Sequence, residues 1–339
     1  MRQVVMIDDV RELEIWPSDL FDKYLEITQN EVKRLLVNKD KLIDVSCPAC
    51  GNRKKKEAFK KFCFNYVECK ECNTLYVSPR PPEKLISNYY SQSKALDFWY
   101  SNIVEKTQKD RMEHLSRPRA MWISNLTNEY LPSPNSFISI SPMSHDFIYE
   151  IYLSNIFKSI SVINPHRIIS NTFSEKKGLK IIDQGLDEIS DEVESDVACA
   201  FGVLDRVFDP EKFLKLLNKI LNKDGLLFLT TSCISGFDLQ VLWNYSKSIY
   251  PPDRINILSI ESLALLLEKQ GFEIIELSTP GQLDIELVKN AIEKNKDIKV
   301  PRFISYLINS RSESAHRSFQ EFLQQFKLSS HVRIAAKKI

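Results

Sequence analysis

Apolar and polar positions change rhythm near residue 135. Beyond it, short apolar runs of strand length alternate with stretches of 10 to 15 residues whose apolar positions recur at helical spacing. Strands are predicted at Ser136–Ser141, Ser159–Ile163, Leu179–Ile182, Asp196–Phe201, Leu226–Thr231, Phe272–Ser278 and Val332–Ala336. Helices are predicted at Ser144–Lys158, Pro210–Leu221 and Ile260–Gln270, with more between Leu283 and Phe326. This alternation predicts an α/β fold, a doubly wound and mainly parallel sheet. The final strand, HVRIAAKK, does not follow a simple crossover, so an antiparallel insertion is expected.

The front of the chain reads differently. Residues 1–45 form an arm with a helix over Ser18–Leu36 that Ser18 or Asp19 can cap, and their expected role is packing or partner contact. Residues 46–82 are turn-rich and cysteine-bearing, and residues 83–134 read as two or three aromatic-dense helices. Most of Tyr89, Tyr90, Phe98, Trp99, Tyr100 and Trp122 are expected in the core. Residues 135–339 are the α/β domain.

A hydrophobic fraction of 43% over 339 residues suffices for a real core. A net charge of +1 provides no global field to recruit nucleic acid or an anionic membrane. No apolar run approaches a membrane span, and the N-terminus has no apolar leader, so a cytoplasmic protein is the default expectation. Glycine is scarce, with 8 in the chain and none between Gly51 and Gly178. A tight phosphate-type turn in that interval lacks its usual residue.

Four of the seven cysteines, Cys47, Cys50, Cys69 and Cys72, form CxxC–x18–CxxC. Each pair makes a tight turn that aims two thiolates at one point, and two such turns close a tetrahedral S4 site. Structural zinc is the expectation, because four protein thiolates leave no position for a catalytic water. Gly51 follows the first turn, where a positive φ is needed. Cys63, Cys199 and Cys233 are expected buried as small hydrophobes. The cationic run Arg53, Lys54, Lys55, Lys56, Lys60 and Lys61 is diluted by Glu57, Glu68 and Glu71 and has no interleaved stacking residues. A solvated loop is favoured over a nucleic-acid contact.

The block DVACAFGVLDRVFDPEKFLKLLNKILNKDGLLFLTT resembles the second half of class I S-adenosylmethionine-dependent methyltransferases. An apolar strand opening at Asp196 leads to a helix beginning at Asp209-Pro210-Glu211, a turn ending at Asp224-Gly225 and a second apolar strand. The segment YPPDRINILSIESLALLLEKQGFEIIELSTPGQLD, with its Gly271–Phe272 step into a strand, resembles the same family. Together with the CPACG ribbon, the chain is similar to bacterial methyltransferases of sugar and surface-polysaccharide biosynthesis. The resemblance implies a Rossmann-like seven-stranded sheet with an antiparallel last strand, behind a zinc ribbon.

The departures from that family concern its cofactor. Where the family has a glycine-rich turn after the first strand, this chain has Ile140-Ser141-Pro142-Met143-Ser144-His145. Where the family has a ribose-binding carboxylate, it has Asn164 followed by Pro165, and where the family has an acidic-His pair, Asp205-Arg206. A lost charge-assisted contact and a filled turn together cost about a hundredfold or more in affinity. The expectation is a family member with lost or altered S-adenosylmethionine binding, acting as a binding or assembly partner in a glycan pathway. An active methyltransferase on a nucleotide-sugar or glycan is the alternative, and a nucleic-acid-binding ribbon protein the second.

Ser141, Ser144, Asn164 and Asp183 are the positions a cofactor would meet. Asp205, Arg206 and Asp253 are the candidates for chemistry, with Asp205-Arg206 equally readable as a salt-bridged loop. Tyr250, Arg254 and Asn256 are the substrate-side candidates on the loop after the fifth strand. Gly281 is expected to supply a positive φ in a turn.

Overall fold

A computed structural model of the chain describes residues 1–2, 4–6, 10–35, 41–142, 144–163, 178–184 and 193–339. Asn164, Pro165 and Met143 of the sequence-predicted cofactor positions lie outside the described residues. In chain order the principal elements begin with helix α1 (Ser18–Leu35) and strands β1 (Lys55–Lys61), β2 (Phe64–Cys69) and β3 (Leu75–Val77). Helices α2 (Glu83–Gln92) and α3 (Arg117–Tyr130) follow, separated by helical segments that widen into π geometry at Trp99–Val104 and Met112–Ser116.

The α/β region runs β4 (Ser136–Ile140), α4 (His145–Leu153), β5 (Ser159–Ile163), β6 (Leu179–Ile182), β7 (Ser195–Phe201), α5 (Pro210–Ile220) and β8 (Leu221–Ser232). It continues through β9 (Asn256–Ile257), α6 (Ile260–Lys269), β10 (Phe272–Ser278), α7 (Asp284–Lys294), α8 (Arg302–Ser310), α9 (Glu313–Gln325) and β11 (His331–Lys338).

The main sheet has seven strands in the order β10-β11-β8-β7-β4-β5-β6. Pairing is parallel from β8 through β6, while β11 is antiparallel to both β8 and β10. The expected insertion of the last strand is therefore present. Capping follows the local sequence. Asp209 accepts from the Lys212 amide and Pro210 opens α5, whose apolar stripe Phe213, Leu214, Leu217 and Ile220 is buried. One side of the core joins Ile138, Ala198, Leu227 and Ile334 to α5 and α6, and the other joins Phe137, Cys199 and Phe228 to Trp122 and Ile148.

The ribbon is fused to this core. Its sheet runs β1-β2-β3-β9, so the fourth strand comes from the loop after β8. Arg80 fastens the junction. Its guanidinium is fully buried and donates to Val77 O (2.9 Å), Phe208 O (2.9 Å), Asn256 Oδ1 (2.9 Å) and Ile255 O (3.4 Å). A buried charge persists only where acceptors replace its water, and here four do.

Two sequence expectations need correction. Cys63 is exposed, because the two-residue β1–β2 turn puts Phe62 (φ 46°) and Cys63 (φ 68°) in the left-handed region at a hairpin tip. Gly281 does not have a positive φ. It is required for space, since a Cβ there would lie 2.1 Å from Ser329 Oγ. Gly51 does adopt a positive φ, 73°.

Replacing Arg80 by Met keeps the apolar stem but strands Asn256 Oδ1 and its carbonyl neighbours. We expect a loss on the order of 3 kcal/mol or more in urea denaturation monitored by circular dichroism. Unchanged stability would mean the junction does not depend on that guanidinium.

Candidate functional site

Parallel sheets place loops at the carboxyl ends of their strands, and ligands bind in the crevice these loops form. Here the ends of β4, β7 and β8 open into a cavity of about 330 Å³. Its floor includes Ser139, Phe201, Gly202 and Thr230. The N-terminal arm supplies Ile15, Trp16, Phe21 and Tyr24 to the wall, and the helical segment supplies Trp99, Arg111 and Arg119. The arm, expected to pack or to contact a partner, therefore also lines the cavity.

Ser141 follows β4 in the left-handed region, φ 44°, a conformation that costs a non-glycine residue about 1–2 kcal/mol. The glycine-free turn thus keeps a glycine-like shape. Its backbone is already engaged. Ser141 N donates to Ile163 O (2.8 Å), Arg206 Nη2 donates to Ser141 O (3.1 Å), and Tyr100 Oη donates to Pro142 O (3.4 Å). Pro142 lines the cavity, and Ser144 lines it while capping α4 through the Asp146 amide. Asp183 is exposed and is not among the residues lining the cavity.

Asp205 and Asp253 both line the cavity, and both are held. Asp205 is 1% exposed, accepts from Thr231 Oγ1 and from Ser232 N (3.0 Å), and pairs with Arg254 Nη1 at 3.4 Å. Burial pushes its carboxyl above the usual range, with Arg254 pulling the other way. Asp253 accepts from Tyr24 Oη (2.7 Å) and Tyr90 Oη (2.8 Å), which ties α1 and α2 to the loop. Tyr250 stands edge-on to Tyr24 and Phe21, with ring centroids 5.8 and 6.1 Å away.

Asn256, expected on the substrate side, is instead fully buried in the junction. Its Nδ2 donates to Leu204 O (3.2 Å) and Val207 O (2.7 Å), and its Oδ1 takes Arg80. The structure thus brings Ser144, Asp205, Arg206, Tyr250, Asp253 and Arg254 to one cavity and leaves Asp183 and Asn256 apart.

Sequence reasoning missed Arg111, Arg119 and His331. Arg111 donates to Ile15 O (2.7 Å) and Thr107 Oγ1 (2.9 Å) and lies over Trp99, 5.3 Å from its centroid. Arg119 lies over Phe201 at 5.1 Å, and burial pushes it down to about 10, still charged at neutral pH. His331 is pushed down to about 3, first by burial and then by Arg119, Arg333 and Arg254. No motif marks these residues. Their signal is only the topology that gathers α3, β7 and the start of β11.

A second cluster lies in the ribbon. The four ligand atoms of Cys47, Cys50, Cys69 and Cys72 fall within 4.8 Å of one another. Cys47 Sγ and Cys72 Sγ are 3.5 Å apart, and Cys50 Sγ and Cys69 Sγ 3.6 Å. A tetrahedral zinc with Zn–S of about 2.3 Å needs sulfur pairs about 3.8 Å apart, so the donor set fits one ion. The two knuckles repeat one geometry. Gly51 N donates to Cys47 O and Asn73 N to Cys69 O, and Asn73 takes the left-handed φ of 57° that Gly51 takes in the first knuckle. Of the cationic run, Lys55 meets Asp44, Lys56 meets Glu68 and Lys61 caps Ser246 O.

Residues 119–277 match a family model described as a methyltransferase domain. No curated protein matches the sequence. Among solved structures, a chain of the complex between the Haloferax volcanii Trm112 methyltransferase activator and a methyltransferase is 12% identical, with TM-score 0.47, covering 72% of this chain and 97% of that one. An S-adenosylmethionine-dependent methyltransferase from Mesorhizobium loti is 10% identical, TM-score 0.43, covering 67% and 100%. The N-methyltransferase NodS from Bradyrhizobium japonicum is 10% identical, TM-score 0.40, covering 68% and 98%. These likenesses name no substrate for this chain. Among the described residues no helix is long and apolar enough to cross a membrane.

His331 gives a pH prediction. Because its folded pKa is depressed, the unfolded chain binds a proton between pH 6.5 and about 3 that the folded chain does not. Stability from this group is present above pH 6.5 and falls on acidification, by at most about 1.4 kcal/mol per pH unit. His331→Gln should flatten that acid limb in denaturation curves taken from pH 7 to 4. Residues 119–277 thus match a methyltransferase domain, and the seven-stranded sheet carries them.

Proposed function

We propose that this chain is a methyltransferase-family protein with an altered methyl-donor site, working as a ligand-binding or assembly partner in a sugar or surface-polysaccharide pathway. One observation supports the altered site above others: Arg206 donates to the Ser141 carbonyl in the turn after β4. S-adenosylmethionine carries a sulfonium and an α-ammonium against one α-carboxylate, so a guanidinium at that turn opposes its net positive charge and can pair only with the carboxylate. Pro142 offers no amide donor there, and its carbonyl is taken by Tyr100. The described residues of the turn thus do not fit the donor in its usual pose. The pathway follows from the likeness of the CPACG ribbon and core to glycan-modifying methyltransferases.

On this reading the pocket residues bind and orient. Asp253, gripped by two tyrosines, positions Arg254, and Arg254 with Asp205 fixes the loop at the cavity mouth. A second reading, an active methyltransferase acting on a nucleotide-sugar or glycan, draws support from Gly202. That residue lines the cavity with φ 65°, and nothing lies within 4 Å of where its Cβ would be.

Calorimetry with S-adenosylmethionine and S-adenosylhomocysteine separates the two. Silence at 0.5 mM ligand, roughly a bound of −4.5 kcal/mol on affinity, is expected. Binding tighter than about 50 μM would overturn the altered-site reading.

The ribbon, we further propose, holds one structural zinc ion. One equivalent should be released when 4-(2-pyridylazo)resorcinol competes after thiol blocking, and Cys50→Ser should abolish retention. The variant should also lower Tm, since metal affinity contributes directly to folding. A protein that retains no zinc and keeps its Tm in excess chelator would refute the assignment.

A further inference from the structure

We propose that Arg119, with Arg111 beside it, forms the anion-binding subsite of the cavity, and that the ligand is a phosphorylated small molecule. The inference rests on the proposed reading only in placing a ligand in the same cavity.

Charge balance is the first ground. Among the described lining residues there are five guanidiniums, Arg111, Arg119, Arg206, Arg254 and Arg333, and three carboxylates, Asp205, Asp253 and Asp284. Arg254 pairs with Asp205, and Arg333 pairs with Glu276 at 2.7 Å. The other two carboxylates are satisfied by neutral donors: Asp253 by two tyrosines, and Asp284 by Ser329 Oγ (2.6 Å), Ser330 N (2.9 Å) and Gln320 Nε2 (2.7 Å). Neither Arg111 nor Arg119 forms an ion pair among the described residues. Arg119 has no hydrogen-bond partner there either, its one contact being the face of Phe201. With Glu276 counted, five guanidiniums face four carboxylates, and the one positive charge in excess calls for an anion.

Geometry is the second ground. A guanidinium lying flat on an aromatic ring is held in orientation while its N–H edge stays free for an oxyanion. Arg119 on Phe201 has this arrangement, while Arg111 on Trp99 spends Nε on Thr107 and one Nη2 proton on Ile15 O and keeps only its remaining Nη protons. His331 opens β11 and lines the same cavity, so an imidazole stands near as a neutral donor. The apolar wall of Tyr24, Trp99 and Phe147 leaves room for an organic group, in a volume typical of small-molecule sites. Carboxylates bind guanidiniums too, but a phosphate offers a third acceptor oxygen for the Arg111 and His331 donors beside Arg119.

The test uses the full chain loaded with zinc and inorganic pyrophosphate as probe, in 0.15 M chloride, by calorimetry. We expect saturable binding, at least tenfold weaker in Arg119→Met and less impaired in Arg119→Lys, with Arg117→Met, an exposed neighbour paired with Glu150, unchanged. No binding at 1 mM pyrophosphate, or equal affinity in Arg119→Met, overturns the proposal. Malonate binding as tightly as pyrophosphate overturns the phosphate assignment. If Arg119→Met does not fold, phenylglyoxal labelling of the wild-type chain decides: pyrophosphate should protect the Arg119 peptide at least fivefold, and absence of protection refutes the subsite. A chain that binds both pyrophosphate and S-adenosylhomocysteine overturns the altered-donor reading alone.

Discussion

The architecture depends on one buried cation. Arg80 leaves the ribbon, enters the core without a carboxylate, and is neutralised only by the oxygens of Val77, Phe208, Ile255 and Asn256. Those acceptors belong to the ribbon's last strand, the turn before α5 and the loop after β8. Fixing them together forces the loop to pair as β9 and so sets the end of the segment carrying Asp253 and Arg254. The cavity's electrostatics are therefore downstream of the ribbon's packing, although no ribbon residue lines the cavity.

The same logic explains the carboxyl edge of the sheet. A left-handed serine keeps the turn after β4 compact, and the groups that a small ligand would need are satisfied by Arg206 and Tyr100. Positive charge gathers at this edge, and the aromatic faces of Trp99, Phe201 and Tyr90 support it, with Arg206 lying 5.2 Å from the Tyr90 centroid. Where charge is held on rings, acceptor atoms remain for something else to supply.

Much of the fold was legible in the sequence because the signals were local. Period-two runs gave the strands to within a few residues, Asp209-Pro210 gave the start of α5, and HVRIAAKK gave the inserted strand. The cysteine pattern placed four sulfurs together because knuckle geometry spans only a few residues. The site was legible in part. Asp205, Tyr250, Asp253 and Arg254 could be found because strand ends are where such folds bind. Arg119 and His331 could not, since they meet only through packing of α3 against β7 and β11. Asn256 misled for the opposite reason: a polar residue on a functional loop was read as facing the ligand, while Arg80, 176 positions away, had claimed it. Cys63 misled because burial habits of cysteine yield to the geometry of a two-residue hairpin.

The position of β11 has one more implication. It fills the seam between β8 and β10, so as the polypeptide emerges from the ribosome the sheet stays split until residues 331–338 arrive. Until then the inner edges of two strands present unpaired amides and carbonyls, a template for pairing with other nascent chains. Biogenesis of this protein thus carries a late, vulnerable interval, during which a chaperone that shields strand edges would have its greatest effect.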